Sequence, residues 1–356
     1  MSEAFDGAQA ASGTGSWHAI RRHRSRLAAA FALAALTMVS AAGSAAARQP
    51  SSAMDGHLSP AVTALELRPG DLVRDNGVGV EVPEPGYMTL GMIEFDDGTY
   101  QMLAVETDPS GSVQLLHWGD EAAGIDAYLH GAPAMAGADA PGSGLLAVES
   151  PDGSSGTHEC SDRAYNRFSF RLPSLGWHYA TGTTPSKFRD RTDGTKQVIN
   201  AIKRANRNIT EARNLCGRAD YIGATGSYLG TTDRGTNIDS SGSCTGRDGY
   251  SVVGWGNLPS SSVAMACIMG ISGSGIASEG DVRINWNKPY ETKMKRCQDE
   301  HLIEAAMTHE FGHIYGMAHV SSYSSPNLTM NPGIRQCSMA HARLGLGDML
   351  GLETKY

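Results

Sequence analysis

The sequence predicts an α+β fold on three observations. One stretch repeats apolar residues every three or four positions, which is the pattern of an amphipathic helix. Several β-prone runs are closed off by Gly, Pro and Asp clusters, which is the pattern of strands and turns. A second helical stretch carries HEFGH and leads into YGMAH, a histidine-rich segment from His309 to His319.

Before the fold begins, the chain carries the marks of export. Arg21, Arg22, Arg24 and Arg26 precede an apolar run at 27–39, and Ala45-Ala46-Ala47 follows. A basic start, a short apolar run and a small-residue site together describe a secretory signal, placed at 1–48. The run is too short for a membrane span, which needs about 20 residues. A secreted, extracellular protein with no stable membrane association is expected.

All six cysteines (Cys160, Cys216, Cys244, Cys267, Cys297 and Cys337) lie after that signal. An even count in an exported chain favours three disulfides. Pairing of sequence neighbours is the simplest guess among the alternatives. No C-x-x-C spacing suggests a closed structural zinc site.

Charge divides the exported part. Residues 48–155 hold 17 Asp and Glu against 3 Arg and no Lys, a net −14, whereas 156–356 hold 22 Lys and Arg against 18 Asp and Glu, a net +4. Two units are expected, with the acidic one able to lie against the basic one. The overall charge of −8 argues against a nucleic-acid partner, and no Gly-rich phosphate loop joins a strand to a helix.

In the acidic unit, 49–130, strands are expected near 78–82, 87–95, 99–105 and 113–116. Pro83-Glu84-Pro85-Gly86, Asp96-Asp97-Gly98 and Asp108-Pro109-Ser110-Gly111 separate them. This small β-rich unit is either an accessory domain or a removable pro-region. A Gly, Ala, Pro and Ser-rich linker follows at 131–157, a candidate site of processing.

The second unit, 158–356, supplies the helices. Val198, Ile202, Ala205, Ile209 and Ala212 line one helix face, with Lys203, Arg204 and Arg207 on the other, so this helix packs on a sheet. Strands are expected at 250–255, 263–271 and 281–286. A helix at 299–315 buries Leu302, Ile303, Ala306 and Met307.

On that helix His309 and His313 stand four apart and project from one face, as two ligands of a tetrahedral zinc require. Glu310 points about 100° away around the axis, placed to take a proton from a metal-held water rather than to ligate. The helix cannot present a third ligand farther along, so the chain must turn back. Gly316 tolerates the left-handed backbone that such a turn uses, and His319 follows three residues later. Three protein ligands leave a fourth position for water, as in catalytic sites.

The full run H-E-x-x-H-x-x-G-x-x-H resembles the zinc signature of the metzincin metallopeptidases. Met330, in Asn327-Leu328-Thr329-Met330-Asn331-Pro332, is similar to that clan's methionine turn. The T-M-x-P form ending at Pro332 looks like the matrixin branch, since astacin- and serralysin-like enzymes carry Tyr where Pro332 stands. The closing stretch 344–352, with Tyr356, resembles the helix that matrixins place behind the turn, and 280–285 more weakly resembles a strand before the zinc helix.

The resemblance implies a twisted mixed sheet with two long helices and a small C-terminal subdomain after the turn. It implies a secreted, monomeric zinc endopeptidase with one zinc held by His309, His313 and His319, Glu310 as general base, and a protein or peptide substrate. That substrate would lie extended along an edge strand, for which 263–271 is the candidate. The alternative is a catalytically silent zinc-binding module on the same scaffold.

There are departures from the family pattern. Val320 stands where vertebrate-type matrixins carry Ser, no calcium or structural-zinc loop is readable in 219–280, and no cysteine lies in 49–159 to act as a thiol switch. Cys160 lies near where that switch would sit, as a disulfide partner or as a zinc-blocking thiol.

Overall fold

The element that organises the structure is a long apolar strand in the second half of the chain. A computed structural model describes residues 67–75, 77–119, 148–149 and 158–356. The export signal, residues 49–66 and nearly all of the linker lie outside the described residues. The strands are β1 (Leu72–Asp75), β2 (Val78–Glu81), β3 (Tyr87–Phe95), β4 (Tyr100–Thr107), β5 (Val113–Gly119), β6 (Val148–Glu149), β7 (Asn166–Phe168) and β8 (Ser174–Ala180). They continue as β9 (Thr225–Thr232), β10 (Ser243–Cys244), β11 (Ser251–Gly256), β12 (Ser262–Ile271), β13 (Ile276–Asn285), β14 (Tyr290–Glu291), β15 (His301–Leu302) and β16 (Met317–Ala318). Three helices matter for the site: α1 (Gly194–Thr210), α2 (Ile303–Ile314) and α3 (Leu346–Glu353).

Eight strands form one mixed sheet in the order β5-β4-β3-β12-β13-β11-β8-β9. The β13, β11, β8 and β9 neighbours pair in parallel, and α1 is the crossover between β8 and β9. From β13 through β12, β3 and β4 to β5 the pairing is antiparallel. The fold is therefore α+β, with a large mixed sheet and few helices.

The acidic strands do not form a sheet of their own. β3 pairs along β12, from Ser262 opposite Phe95 to Ile271 opposite Tyr87. β12 is consequently an interior strand, which corrects its expected place at an edge. The strand's own composition explains this. Nine of the ten residues in SVAMACIMGI are buried, and a strand apolar on both faces belongs inside a sheet. Every described element falls within one compact unit, Ala53–Tyr356.

The main core lies between one sheet face and the helices. α1 contributes Val198, Ala201, Ile202, Ala205 and Ile209, on the face that the spacing predicts. α2 is buried over all twelve residues. It starts at Ile303 rather than near 299 because His301–Leu302 pairs with Tyr290–Glu291 as a short strand. Asn208, Thr308, Glu304 and Arg343 tie α1, α2 and the C-terminal part together, with Arg204 Nε 2.5 Å from Glu304 Oε2.

A second core fills the opposite sheet face. Val78, Val80, Val82, Ile93, Leu103 and Val105 pack there against Ile238, Leu258, Met265 and Met269, under the small sheet β1-β2-β10. The disulfides join sequence neighbours: Cys160–Cys216, Cys244–Cys267 and Cys297–Cys337. Cys160 is thus a disulfide partner, and its sulfur is not available as a thiol.

Candidate metal centre

α2 presents His309 and His313 one turn apart on its inner face. The helix stops at Ile314, and Gly316 adopts φ +91°, with its amide bonded to the His313 carbonyl. A Cβ here would stand 2.6 Å from the Phe170 carbonyl oxygen, so glycine is required by both backbone and space. The chain then returns as β16, paired with β7, and Asn166 Nδ2 donates to the His319 carbonyl at 2.6 Å.

The result is a convergence of three imidazoles. Each pair among the Nε2 atoms of His309, His313 and His319 is separated by 3.0 Å. Two of the rings have their tautomer fixed from behind: His309 Nδ1 donates to the Thr329 carbonyl at 2.7 Å, and His313 Nδ1 to the Met317 carbonyl at 2.9 Å. A carbonyl only accepts, so each Nδ1 carries the proton and each Nε2 turns a bare lone pair inward. Lone pairs crowded at 3.0 Å without protons between them describe a cation site.

Burial disfavours the charged form of the His309 and His319 rings. The His309 imidazole is held well below its usual range by burial and then by its two neighbours, and burial lowers His319 to about 4. Neutral imidazole is the form that binds metal.

Glu310 is fully buried, and neither of its oxygens has a hydrogen-bond partner among the described residues. Burial first, and then the charge of Glu94, push its carboxyl well above the usual range.

The sequence reading missed Glu94. It sits on β3 in the alternation Met88, Leu90, Met92, Glu94, a carboxyl where the first three side chains enter the core. That alternation was the available signal, because a carboxylate on an apolar face needs a charged partner or a metal. Its Oε1 stands 3.2 Å from His313 Nε2, 3.5 Å from His319 Nε2 and 3.9 Å from His309 Nε2. Burial alone would raise its carboxyl, but His313 and His319 outweigh that and hold it well below the usual range. The β3–β12 register shifts between Ser262 and Met265, beside Glu94, and such bulges re-aim side chains.

These four residues form a buried group that could hold a metal ion. Ligands at about 2.0–2.1 Å in a tetrahedron stand about 3.3–3.4 Å from one another. The six separations here, 3.0 Å among the nitrogens and 3.2, 3.5 and 3.9 Å to the carboxylate, bracket that value. The donor set and its spacing could hold a metal ion. The other such grouping, His158, Glu159 and Cys160, is more exposed, and its sulfur is in a disulfide.

Met330 packs against α2. Its Sδ would lie 2.3 Å from a Cβ on Gly312, so the thioether packs where the helix lacks a side chain. Asp348 holds the turn, accepting from the amides of Thr329 (2.8 Å), Met330 (3.2 Å) and Gly345 (2.8 Å). Pro332 is buried beside Met330, and its carbonyl accepts from the Ile334 amide. Tyr100, on β4, places its ring 4.1 Å from that of His319.

Among the described residues, no helix is long and apolar enough to cross a membrane. Comparison with protein-family models, with curated proteins and with solved structures finds no match to this chain.

Proposed function

We propose that the chain is a secreted zinc endopeptidase of metzincin, matrixin-like type. The observation that carries this is the convergence of three imidazoles at 3.0 Å, two of them on a helix whose next residue after the first ligand is a buried glutamate without a hydrogen-bond partner among the described residues. A closed structural site needs no such glutamate, whereas hydrolysis does.

A bound zinc ion would supply Lewis acidity toward a scissile carbonyl and acidify a water molecule. The chain's own residues account for the rest. His309, His313 and His319 hold the ion, and the Thr329 and Met317 carbonyls fix the first two rings in the ligating tautomer. Glu310 takes a proton from the attacking water at a carboxylate oxygen and returns it to the leaving amine, so that one peptide bond and one water become an acid and an amine. Met330 and Asp348 keep the floor and the turn in place. Export and extracellular action accord with the basic, apolar and small-residue start of the chain and with the three disulfides.

Zinc analysis of the purified protein and peptidase assay of the activated form test the proposal. About one zinc per chain is expected, with caseinolytic activity lost on chelation and lost in Glu310→Ala while zinc is retained. A zinc-loaded Glu310→Ala protein with undiminished peptidase activity would refute the mechanism.

A further inference from the structure

We propose that His301 and His341 select an acidic side chain, Asp or Glu, on the substrate residue next to the cleaved bond. The proposal rests on the peptidase reading above and names the class of substrate that the site takes.

Two clamped segments bring these rings to the metal helix. The Cys297–Cys337 disulfide holds the 331–342 segment beside β15, and the Cys337 amide donates to the Glu300 carbonyl at 2.8 Å. His301 stands on β15, its amide bonded to the Pro289 carbonyl and its ring 5.7 Å from that of Tyr290. His341 stands in a short helical turn, Ala340–Ala342, whose Ala342 packs with Leu302 and Ala305 at the start of α2. The His341 ring lies 6.4 Å from that of His309, so it is the next ring beyond a proposed metal ligand.

Both rings lack a use in the fold. His341 is 0% and His301 2% exposed, and none of their four ring nitrogens has a hydrogen-bond partner among the described residues. The carbonyls of Ile334 and Asn331 lie near enough to pull the two rings up, but outside hydrogen-bonding geometry. Leaving such groups unpaired in the interior costs stability, and a partner that arrives with the substrate accounts for them.

The surrounding charge decides what that partner is. Each neutral ring has one N–H to give, which calls for an acceptor. Burial first and then Arg335 lower His341 to about 4, and burial first and then Lys288 do the same to His301, so two cations act on the pair. Arg335 bonds to the Asn327 side chain and the Pro326 carbonyl, and no carboxylate pairs with it among the described residues. Lys288 pairs with Asp96, whose charge is also felt at His301, so a carboxylate is already accepted beside this ring. An apolar side chain would leave the four nitrogens unpaired, and a basic one would meet Arg335 and Lys288.

The activated, zinc-loaded protein is given an equimolar peptide mixture that varies one position on each side of a single cleavable bond. Mass spectrometry reads the products, beside His341→Leu, His301→Leu and Arg335→Gln. On one side of the bond, cleavage next to Glu or Asp should exceed cleavage next to Gln or Leu by about tenfold or more. His341→Leu and His301→Leu should each lower the Glu-to-Leu ratio about tenfold, a change in selectivity that a merely structural role would not produce. If neither of these folds, the wild type and Arg335→Gln, an exposed change, decide: the Glu-to-Gln ratio should fall about threefold in the variant. A wild type that prefers Leu to Glu on both sides, or ratios equal in wild type and variants, overturns the selectivity while leaving the peptidase reading intact. A zinc-loaded wild type that cleaves none of the peptides overturns the peptidase reading, and the selectivity falls with it.

Discussion

Replacing Gly316 by alanine tests how the third ligand is brought to the metal. Two effects add. At φ +91° an alanine is outside the regions open to L-residues, which costs about 1–3 kcal/mol. The new Cβ would also stand 2.6 Å from the Phe170 carbonyl oxygen, and that atom is backbone, so relief must move the chain just after β7 or the turn. Overpacking of this kind costs about 1–3 kcal/mol. The contact with Lys355 Cε, at 2.3 Å, is relieved by a side-chain rotation and adds little. A sum of about 2–6 kcal/mol corresponds to about 4–24 °C in melting temperature, at about 2–4 °C per kcal/mol.

The more telling consequence is local. The amide of Phe168 bonds to the Gly316 carbonyl at 2.9 Å, and β16 pairs with β7 immediately afterwards, so a displaced turn carries His319 with it. Zinc affinity should fall about 10- to 100-fold, the scale seen when groups supporting a ligand are lost. Gly182→Ala serves as the control, because a Cβ there meets nothing within 4 Å and its φ is ordinary. Thermal unfolding of the zinc-loaded and metal-free proteins, with chelator competition, measures both quantities. A Gly316→Ala protein that melts with the wild type and binds zinc equally well would refute the role given to this turn.

Two further outcomes are expected. In Asp348→Ala, three buried amides (Thr329, Met330 and Gly345) lose their acceptor, and about 1 kcal/mol for each gives a loss of about 3 kcal/mol. Burial raises the Asp348 carboxyl to about 6, above its unfolded value of about 3.9. Between these values the native state keeps a proton that the unfolded state has lost, so this group's contribution falls as pH rises from about 4 to 6. The stability gap between wild type and Asp348→Ala should therefore be widest near pH 4, and a constant gap in denaturant titrations from pH 4 to 7 would contradict this. Residues 158–356 expressed alone should fold poorly, because Ile238, Leu258, Met265 and Met269 lose the apolar partners that β2, β3 and β4 supply. At about 1.5–3 kcal/mol per side chain the loss is at most about 6–12 kcal/mol, as large as the whole stability of an ordinary domain. A monomeric 158–356 protein with wild-type circular dichroism and melting behaviour would count against this estimate.

What was legible in the sequence was local. His309, His313 and Glu310 are fixed by helical spacing, and Gly316 by the need to reverse toward His319. The buried face of α1 follows from its period. β3 has its expected bounds, and β2, β4, β5 and β11 lie close to theirs, whereas β13 begins at Ile276, well before the expected 281. What was missed was either polar or distant. β9, TGSYLGTT, is an alternating edge strand with no apolar run, and β8, SLGWHYA, buries alternate residues behind exposed serine and glycine. Glu94 lies far from the histidines in the chain, in a stretch where no motif resembles anything, and its meaning appears only when β3 is set beside β12. Charge asymmetry said that the acidic segment could lie against the rest. It did not say that β pairing and a shared apolar cluster, more than ion pairs such as Lys288–Asp96, would join them.

The edge assigned to β12 follows from the same gap. Its run of ten residues contains no charge and faces two cores, one shared with the helices and one with β2. Natural edge strands are blunted with charges, prolines or short length, and β12 has none of these. Its sequence is that of an interior strand, and β3 is what makes it interior. Removing β3 would therefore do two things at once. It would free the row of backbone donors and acceptors that β12 now pairs with β3. It would also uncover Met265 and Met269 on the far face, which no short peptide can cover. A chain that discarded the whole segment 72–119 would gain an open sheet edge at β12 and lose much of the second core. The second core is therefore best kept by retaining β1 and β2 on β10 while β3 moves, since β2 pairs there in parallel register at Gly79–Ser243 and Val80–Cys244, independently of β3. Glu94 on β3 faces the histidines while β2 belongs to the second core, and the break between Val82 and Tyr87, PEPG, lies between these two strands.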